Sequence, residues 1–304
     1  MTQKTFDSKP ARFFKYMSAS TAEIVLFNQT LRWSAASIFN DYAELQRIPT
    51  FEPTLTESLE RLFCIVTSIV YGRQEKTIDM NRLTEPVRQL VDMGRLEAAK
   101  DGATESRVKS AISTRFKNPH LIEDTYANEI RAKIDSFASR LRILCLTTKA
   151  TNAPLWAHYG DRHTGCALEF QAGAIADCFF TEAKRVRYTD NLHAGPGLDI
   201  LLYGGTDEQL EASKNNIFYA KTTDWSYEDE WRLQYLLQQP SSGDHDDFRY
   251  QPQQLAGIYF GLHCTEQFQK KLIANLPSVM KQTPMYKMEQ IKGVLQPRLM
   301  EDVV

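Results

Sequence analysis

The sequence predicts an α+β fold in which a helical insertion interrupts a mainly antiparallel sheet. Helical periodicity of the apolar residues dominates roughly residues 52–140, and from Leu141 onward the apolar residues follow the two-residue period of strands. No proline-rich linker divides the chain. We therefore expect one α+β domain over residues 1–304, with residues 52–140 as a helical insertion within it.

The start of the chain combines short strands with one helix. Phe13 to Met17 predicts a strand, a helical stretch follows Ser20, and Leu31 to Ser34 predicts a second extended segment. Asn40-Asp41 comes next, with Glu44 three residues after Asp41. An Asn-Asp pair commonly forms a turn by bonding its own backbone, whereas a functional loop would aim Asn40 or Asp41 at a ligand.

The predicted insertion begins with a capping box, Thr54-Leu-Thr-Glu57, in which a threonine and a glutamate satisfy each other's backbone N–H groups. Apolar residues at helical spacing follow as far as Val70. Thr84-Glu-Pro86 predicts a second helix, because proline is tolerated in a first turn. A later helix is predicted from the apolar spacing at Ile130, Ile134, Phe137 and Leu141.

The second half of the chain is predicted to form most of the sheet. Its short segments are rich in β-forming residues and are separated by loops such as Ala194 to Gly197 and Pro240 to Asp247. The predicted strands are Leu141 to Thr147, Gly165 to Phe170, Lys184 to Thr189, Glu230 to Leu237, Leu255 to Gly261 and Met285 to Ile291.

Composition and charge weigh against several classes of protein. The net charge of −2 argues against a protein that coats nucleic acid through bulk positive charge. Five cysteines are scattered without a C-x-x-C spacing, which indicates neither a disulfide framework nor a structural zinc site. The N-terminus has no apolar secretory core, and the longest apolar stretch, Leu62 to Val70, is too short to span a bilayer. We expect a cytoplasmic protein without a membrane segment.

The stretch Trp225 to Arg232, W-S-Y-E-D-E-W-R, concentrates charged and aromatic side chains. As a strand, it would place Glu228, Glu230 and Arg232 on one face. Paired carboxylates raise each other's pKa and a neighbouring arginine lowers it, so the pair suits acid/base or oxocarbenium chemistry. Two plainer interpretations stay open: a solvated strand, or a helical turn in which Glu228 pairs with Arg232.

A second polar cluster runs from Pro154 to Gly165. Its histidines, His158 and His163, are five residues apart and miss the H-x-x-x-H spacing of a helical zinc site, so we predict no metal site. We interpret Trp156, His158 and Tyr159 as the wall of a pocket, although such residues also occur together as core scaffolding. The chain carries no P-loop, no G-x-G-x-x-G between a strand and a helix, and no G-x-S-x-G elbow. These absences weigh against P-loop enzymes, Rossmann oxidoreductases and α/β-hydrolases.

Four clusters follow one another along the chain. They are Phe14-Lys15-Tyr16; Leu31-Arg-Trp-Ser34 with Phe39-Asn-Asp41-x-x-Glu44; Trp156-Ala-His-Tyr159 with His163-x-Gly165; and Tyr227-Glu-x-Glu-Trp-Arg232. Their order resembles that of a large bacterial and phage-associated family of domains of unknown function. Its members carry K-Y, L-x-x-S, F-N-D-P-x-E, W-x-H-Y-x-x-x-H-x-G and Y-E-x-E-W-R in that order. The match spans roughly residues 13–261, and Tyr42 departs from it where the family has proline.

The order is also similar, more distantly, to that of ADP-ribosyltransferase-like folds, which implies a split antiparallel sheet around NAD as co-substrate. This resemblance implies that Glu230 binds the nicotinamide ribose and stabilises the ribosyl cation, with Glu228 two residues before it as in E-x-E toxins. Tyr16 or Tyr159 would stack on nicotinamide, and Arg32 or Ser34 would orient the ribose. The binding residues so implied are Lys15, Tyr16, Arg32, Ser34, Asn40, Asp41, Trp156, His158, Tyr159, His163 and Arg232.

Several hypotheses about function follow. The leading one is NAD-dependent ADP-ribosyl transfer or NAD hydrolysis in a bacterial toxin or anti-phage setting. That setting implies a nucleotide, nucleic-acid or protein acceptor and an antitoxin or defence partner. One alternative is a module that binds a nucleotide or nucleic acid without turnover. Another is a metal-dependent nuclease that uses Asp41, Glu44, His158 and His163. In the plainest interpretation, the clusters are hydrogen-bonded core scaffolding.

Overall fold

The structure, a computed structural model, describes residues 10–39, 50–73, 78–114, 128, 131–173, 178–204 and 207–300. The chain divides into two compact units. The first combines Met1–Asp41, Ala138–Asp190 and Lys221–Val304 and carries a large sheet. The second combines Tyr42–Phe137 with Asn191–Ala220 and is largely helical in its described residues.

The strands are short, and almost all of them lie in the first unit. In chain order they are β1 (Arg12–Met17), β2 (Thr30–Ala35), β3 (Leu141–Thr147), β4 (Cys166–Gln171), β5 (Lys184–Arg185), β6 (Arg187–Tyr188), β7 (Ala220–Lys221), β8 (Glu230–Leu236), β9 (His245–Arg249), β10 (Leu255–Phe260), β11 (Met285–Ile291) and β12 (Val294–Leu299). β6 and β7 pair as a small separate ladder.

The large sheet runs in the order β12-β11-β10-β4-β1-β3-β2-β9, and β8 lies between β3 and β5. Its pairs are antiparallel except that of β10 with β11, which is parallel. β3 pairs with β8 along its whole length. It shares its other edge between β2, through Arg142 and Ile143, and β1, through Thr147. The predicted α+β class with a mainly antiparallel sheet is confirmed.

β1 illustrates why this sheet is stable. Its side chains alternate between two hydrophobic clusters, because successive strand residues point to opposite faces. Phe13 and Met17 belong to the main core, and Phe14 and Tyr16 belong to a smaller cluster on the other face. Lys15 lies between Phe14 and Tyr16 in the sequence and is half-buried. Burial on both faces fixes the register of β1, since a slip of one residue would exchange the two faces.

Most predicted strands agree with the structure. β3, β4, β8, β10 and β11 begin and end within one residue of the predicted bounds, whereas Lys184 to Thr189 forms only the short pieces β5 and β6. Three strands of the described chain were not predicted: β9, β12 and the two-residue β7. β9 lies partly in the predicted loop and has the polar sequence HDDFR, and β12 contains Pro297. Neither has a strand-forming pattern, so pairing with β2 and β11 decides their conformation.

The helices are α1 (Ala19–Asn28), α2 (Leu55–Val70), α3 (Glu85–Ala98), α4 (Glu105–Ser113), α5 (described over residues 131–138), α6 (Ala153–His158), α7 (Gly197–Tyr203), α8 (Asp207–Phe218) and α9 (Glu266–Asn275). In the second unit, α2 packs against α3 and α7. Its predicted capping box is confirmed, because Glu57 N donates to Thr54 Oγ1 (3.1 Å) and Thr54 N donates to Glu57 Oε2 (2.9 Å). None of the described helices is long and apolar enough to cross a membrane.

Two glycines allow chain segments of the first unit to approach closely. A Cβ atom at Gly165 would lie 2.1 Å from Met17 O, and one at Gly261 would lie 2.2 Å from His163 O. The same segments are joined by the hydrogen bond from Gly261 N to Gly165 O (2.9 Å). This contact fixes the loop that follows α6 against the end of β10, so a side chain at either position must displace backbone.

We therefore expect Gly261→Ala to lower the free energy of unfolding by about 1–3 kcal/mol, the usual effect of overpacking. Gly243→Ala is the matched control, because its Cβ would meet nothing closer than Ser241 Oγ at 3.4 Å. Its effect should stay within about 0.5 kcal/mol. Urea unfolding of both variants measures the difference, and equal stabilities would contradict the close approach.

Candidate functional site

The stretch Trp225 to Arg232 is not one continuous strand. Thr223–Glu228 forms a 3₁₀ helix, Asp229 takes the left-handed conformation (φ 45°), and β8 begins at Glu230. Aspartate tolerates this conformation better than most residues. Its carboxylate accepts hydrogen bonds from Thr148 Oγ1 (2.7 Å) and Arg185 Nη2 (2.8 Å). The interpretation of Trp225 to Arg232 as one strand is therefore wrong for Trp225 to Glu228, whereas the strand predicted from Glu230 onward is confirmed.

Glu228 and Glu230 nevertheless converge on one cation, the side chain of Lys221. Lys221 Nζ lies 2.8 Å from Glu228 Oε2 and 3.5 Å from Glu230 Oε2. All three residues are at most 5% exposed. A buried ammonium can neutralise two neighbouring carboxylates only at short range, so Lys221 fixes the spacing of the pair. No sequence motif indicated Lys221. The sequence shows only a lysine that comes shortly after the apolar residues Ile217 and Phe218, which the structure buries.

Glu230 is also bound by Arg232, as their shared strand face predicts. Arg232 Nε donates to Glu230 Oε1 (2.8 Å) and Arg232 Nη2 donates to Glu230 Oε2 (3.0 Å). Glu230 N donates to Tyr188 Oη at 2.8 Å. Arg232 is fully buried, and its guanidinium lies 5.6 Å from the centre of the Phe39 ring. Both carboxylate oxygens of Glu230 therefore have charged donors.

Glu228 is the carboxylate with a solvent-exposed neighbour. Tyr159 Oη donates to Glu228 Oε1 (2.8 Å), and Tyr159 is 37% exposed. Tyr159 follows α6, which begins with Asn152 as its cap. The Asn152 side-chain amide also donates to Tyr227 O, which ties α6 to the 3₁₀ helix that carries Glu228. Glu228 is therefore hydrogen-bonded to a tyrosine, Tyr159, whose side chain is exposed to solvent.

The electrostatics of the cluster follow from burial and short ion pairs. Burial raises the pKa of Glu230, although the Lys221 ammonium opposes this. Burial acts to lower the pKa of Lys221, but the two carboxylates outweigh it and raise the pKa above its ordinary value. Burial and the Glu228 carboxylate raise the pKa of Tyr159. At neutral pH Lys221 is thus charged and Tyr159 is a protonated donor.

Lys15 and Tyr16 lie on β1 near this cluster but have other partners. Lys15 Nζ donates to Cys145 O (3.0 Å), and its charge acts to lower the pKa of Glu230. Tyr16 is buried; its hydroxyl donates to Lys149 O (2.7 Å) and its ring meets Trp156 edge to face at 4.9 Å. Lys15 therefore contributes positive charge to the site, whereas Tyr16 packs beside it.

The residues predicted to form a pocket wall differ in their burial and in their neighbours. Trp156 is fully buried, and its Nε1 donates to Ala150 O (2.9 Å). His158 is exposed, with its ring 6.4 Å from that of Tyr227. The His163 ring stacks on that of Trp156 (ring centres 6.3 Å apart) and meets that of His263 at 5.9 Å, and burial lowers the pKa of His163. Within the part of the chain that the structure describes, no group of three histidine, cysteine or acidic side chains could bind a metal ion.

The remaining predicted binding residues lie on or after β2. Arg32 forms an ion pair with Asp247 on β9 (3.2 Å), and Ser34 pairs with His245 in the same ladder. Asn40 and Asp41 lie outside the described residues, as does Glu44 of the nuclease hypothesis. The structure thus brings together Glu228, Glu230, Arg232, Tyr159 and Lys15, and adds Lys221 and Tyr188, which the sequence motifs did not indicate.

Comparison with known proteins gives a family without an assigned reaction. Residues 155–233 match the family model described as "Protein of unknown function (DUF2971)". The predicted resemblance to a family of domains of unknown function is confirmed at that level, and the matched range contains Tyr159, Lys221, Glu228, Glu230 and Arg232. The chain has no match among curated proteins and none among solved structures. The likeness to ADP-ribosyltransferases stays a prediction.

Removal of the Lys221 ammonium should destabilise the protein strongly. Lys221→Met leaves two buried carboxylates without their shared cation, and breaking such an ion pair costs about 3–5 kcal/mol. The loss removes a charge that lowers the pKa of Glu230, so this pKa rises further above its ordinary value and the folded chain binds a proton at Glu230 more tightly than the unfolded chain does. The loss in free energy of unfolding, relative to the wild-type chain, should therefore grow as the pH rises above the pKa of a glutamate in the unfolded chain, about 4.3.

Urea unfolding at neutral pH and at about pH 5 measures this dependence. Lys149→Met is the control, because the Lys149 side chain is 54% exposed and lies 3.9 Å from Asp229 Oδ2. An exposed pair of this kind contributes about 0–1 kcal/mol. A Lys221→Met deficit as small as that of the control, or one equal at both pH values, would contradict the role assigned to Lys221.

Proposed function

We propose that the cluster around Glu228 binds NAD and promotes cleavage of the bond between nicotinamide and ribose, with transfer of ADP-ribose to an acceptor or to water. The observation that carries this proposal is the geometry of the carboxylates. Glu228 and Glu230 are held on one buried ammonium, and an exposed phenol donates to Glu228. A fixed carboxylate in a poorly hydrated site can stabilise a cationic sugar far better than one in water.

Glu228 is the carboxylate best placed for this chemistry. Its Oε1 has the Tyr159 hydroxyl as donor, and a ribose hydroxyl of NAD can take the place of that phenol. The charge on Glu228 would then stabilise the oxocarbenium-like ribose as the C–N bond breaks and its electron pair leaves with nicotinamide. The acceptor oxygen or nitrogen next bonds to the same ribose carbon, and its proton passes to solvent.

Glu230 has a different role in this proposal. Arg232 binds both of its oxygens, and Lys221 contacts one of them. Glu230 thereby orients Lys221, which in turn fixes Glu228. We therefore assign Glu230 as a positioning residue, although the resemblance to ADP-ribosyltransferase-like folds implies that Glu230 is the catalytic glutamate. Lys15 adds positive charge near the pair, which favours a ligand that carries phosphates.

Nicotinamide release from NAD by the purified chain tests this proposal. Glu228→Gln should lower the rate by about 100–1000-fold, as loss of a transition-state electrostatic contact does. Glu230→Gln should have a smaller effect. The control is Glu169→Gln, because Glu169 is also buried and hydrogen-bonded, accepting from Tyr259 Oη and Arg12 Nη1 at 2.8 Å each. Thermal unfolding confirms that each variant is folded.

The pattern of rates separates the outcomes. If Glu230→Gln were the more damaging variant, Glu230 would be the catalytic carboxylate. If the wild-type chain released no nicotinamide with water, protein, RNA or DNA as acceptor, the proposed reaction would be wrong. Transfer of labelled ADP-ribose to one of these macromolecules would identify the acceptor class, and with it the relevance of a toxin or anti-phage setting.

A module that binds a nucleotide without turnover is the second candidate. The observation in its favour is that the oxygens of both carboxylates already have donors within the protein, as in a structural ion network. Calorimetry with NAD, followed by recovery of the ligand, distinguishes the two. Intact NAD after saturating binding supports the module, whereas conversion to nicotinamide supports the enzyme.

A further inference from the structure

Three aromatic rings form a row beside Glu228. The ring centres of Trp225 and Tyr227 are 6.1 Å apart, and those of Tyr227 and His158 are 6.4 Å apart, with both pairs tilted by 35°. Trp225 and Tyr227 are partly exposed and His158 is exposed. We call these three rings the aromatic ledge. Tyrosine and tryptophan are enriched at binding surfaces, because their rings are apolar and their N–H or O–H groups are polar, so a row of three rings that solvent reaches is a candidate recognition surface.

The ledge is fixed to the carboxylate cluster at both ends. Lys221 Nζ, which binds Glu228 and Glu230, lies 4.5 Å from the centre of the Trp225 ring. At the other end, His158 is the last residue of α6 and precedes Tyr159, whose hydroxyl donates to Glu228. The ledge therefore borders the side chains of Lys221 and Tyr159 that bind Glu228.

The chemistry of the ledge indicates its ligand. Flat aromatic faces stack on nucleobases whatever the base, because every base presents a π face. Lys15, whose Nζ donates to Cys145 O, adds positive charge near the carboxylates, of the kind that attracts phosphates. We propose that Trp225, Tyr227 and His158 form a base-stacking subsite for a nucleotide whose ribose lies at Glu228. This inference rests on the proposed function for the position of the ribose, but stacking requires no cleavage.

Tryptophan fluorescence gives a selective test, because Trp225 differs from the other three tryptophans. Trp33, Trp156 and Trp231 are at most 7% exposed, whereas Trp225 is partly exposed. AMP, which carries a base on ribose phosphate and no bond to nicotinamide, should quench the fluorescence of the wild-type chain. Ribose 5-phosphate, which lacks the base, should not quench it and should bind at least about tenfold more weakly by calorimetry.

Two variants separate stacking from folding. Trp225→Phe retains an aromatic ring, so AMP should still bind while the fluorescence change disappears. Trp225→Leu should weaken AMP binding roughly tenfold, the effect of losing one base–aromatic stack, and leave ribose 5-phosphate binding unchanged. Tyr235→Leu is the control, because Tyr235 is a 47% exposed aromatic residue that contacts Phe248 rather than the ledge.

The proposed base-stacking subsite is wrong if AMP does not bind or if AMP and ribose 5-phosphate bind equally. It is also wrong if Trp225→Leu binds AMP as tightly as the wild-type chain does. Quenching that persists in Trp225→Phe would also overturn it. These outcomes are independent of NAD cleavage. AMP binding that depends on Trp225, in a chain that leaves NAD intact, would support the ledge and refute the enzyme; NAD cleavage without AMP binding would do the reverse.

Discussion

The candidate site depends on one buried ion, the Lys221 ammonium between Glu228 and Glu230. Removing a charged group from water costs several kcal/mol, and a buried ion pair often contributes less stability than apolar residues of the same size. A network of Lys221, Arg232 and two glutamates is therefore a poor way to stabilise a core. Perturbed ionisable groups of this kind are more common at functional sites than elsewhere, which is why the cluster, rather than the hydrophobic core, indicates function.

The two glutamates differ in the backbone elements that hold them. Glu230 begins β8 and is fixed by its place in the sheet, opposite Thr147 of β3. Glu228 ends a 3₁₀ helix, and the left-handed residue between them, Asp229, turns both side chains toward the same lysine. The sheet thus fixes the Glu230 carboxylate, and the turn at Asp229 directs the Glu228 carboxylate toward Tyr159 and Lys221. That division accounts for the arginine that binds both oxygens of Glu230 and for the exposed tyrosine that donates to Glu228.

Local patterns predicted the elements whose stability is local. The Thr54–Glu57 capping box, the apolar run of β3 and the contact of Glu230 with Arg232 two residues later all follow from spacing along the chain. The Lys221 and Tyr159 contacts with Glu228 could not be predicted in this way, because tertiary packing brings these residues together. β9 escaped prediction for the same reason, since its polar sequence becomes a strand only through pairing with β2.

Whether Glu228 binds the nicotinamide ribose of NAD can be seen in a crystal structure with a non-cleavable NAD analogue, in which a methylene replaces the ring oxygen of that ribose. We expect a ribose hydroxyl to donate to Glu228 Oε1 in place of Tyr159, while Lys221 still contacts both carboxylates and Arg232 still binds Glu230. An analogue bound elsewhere, or one bound with the Tyr159–Glu228 hydrogen bond intact, would contradict this role of Glu228.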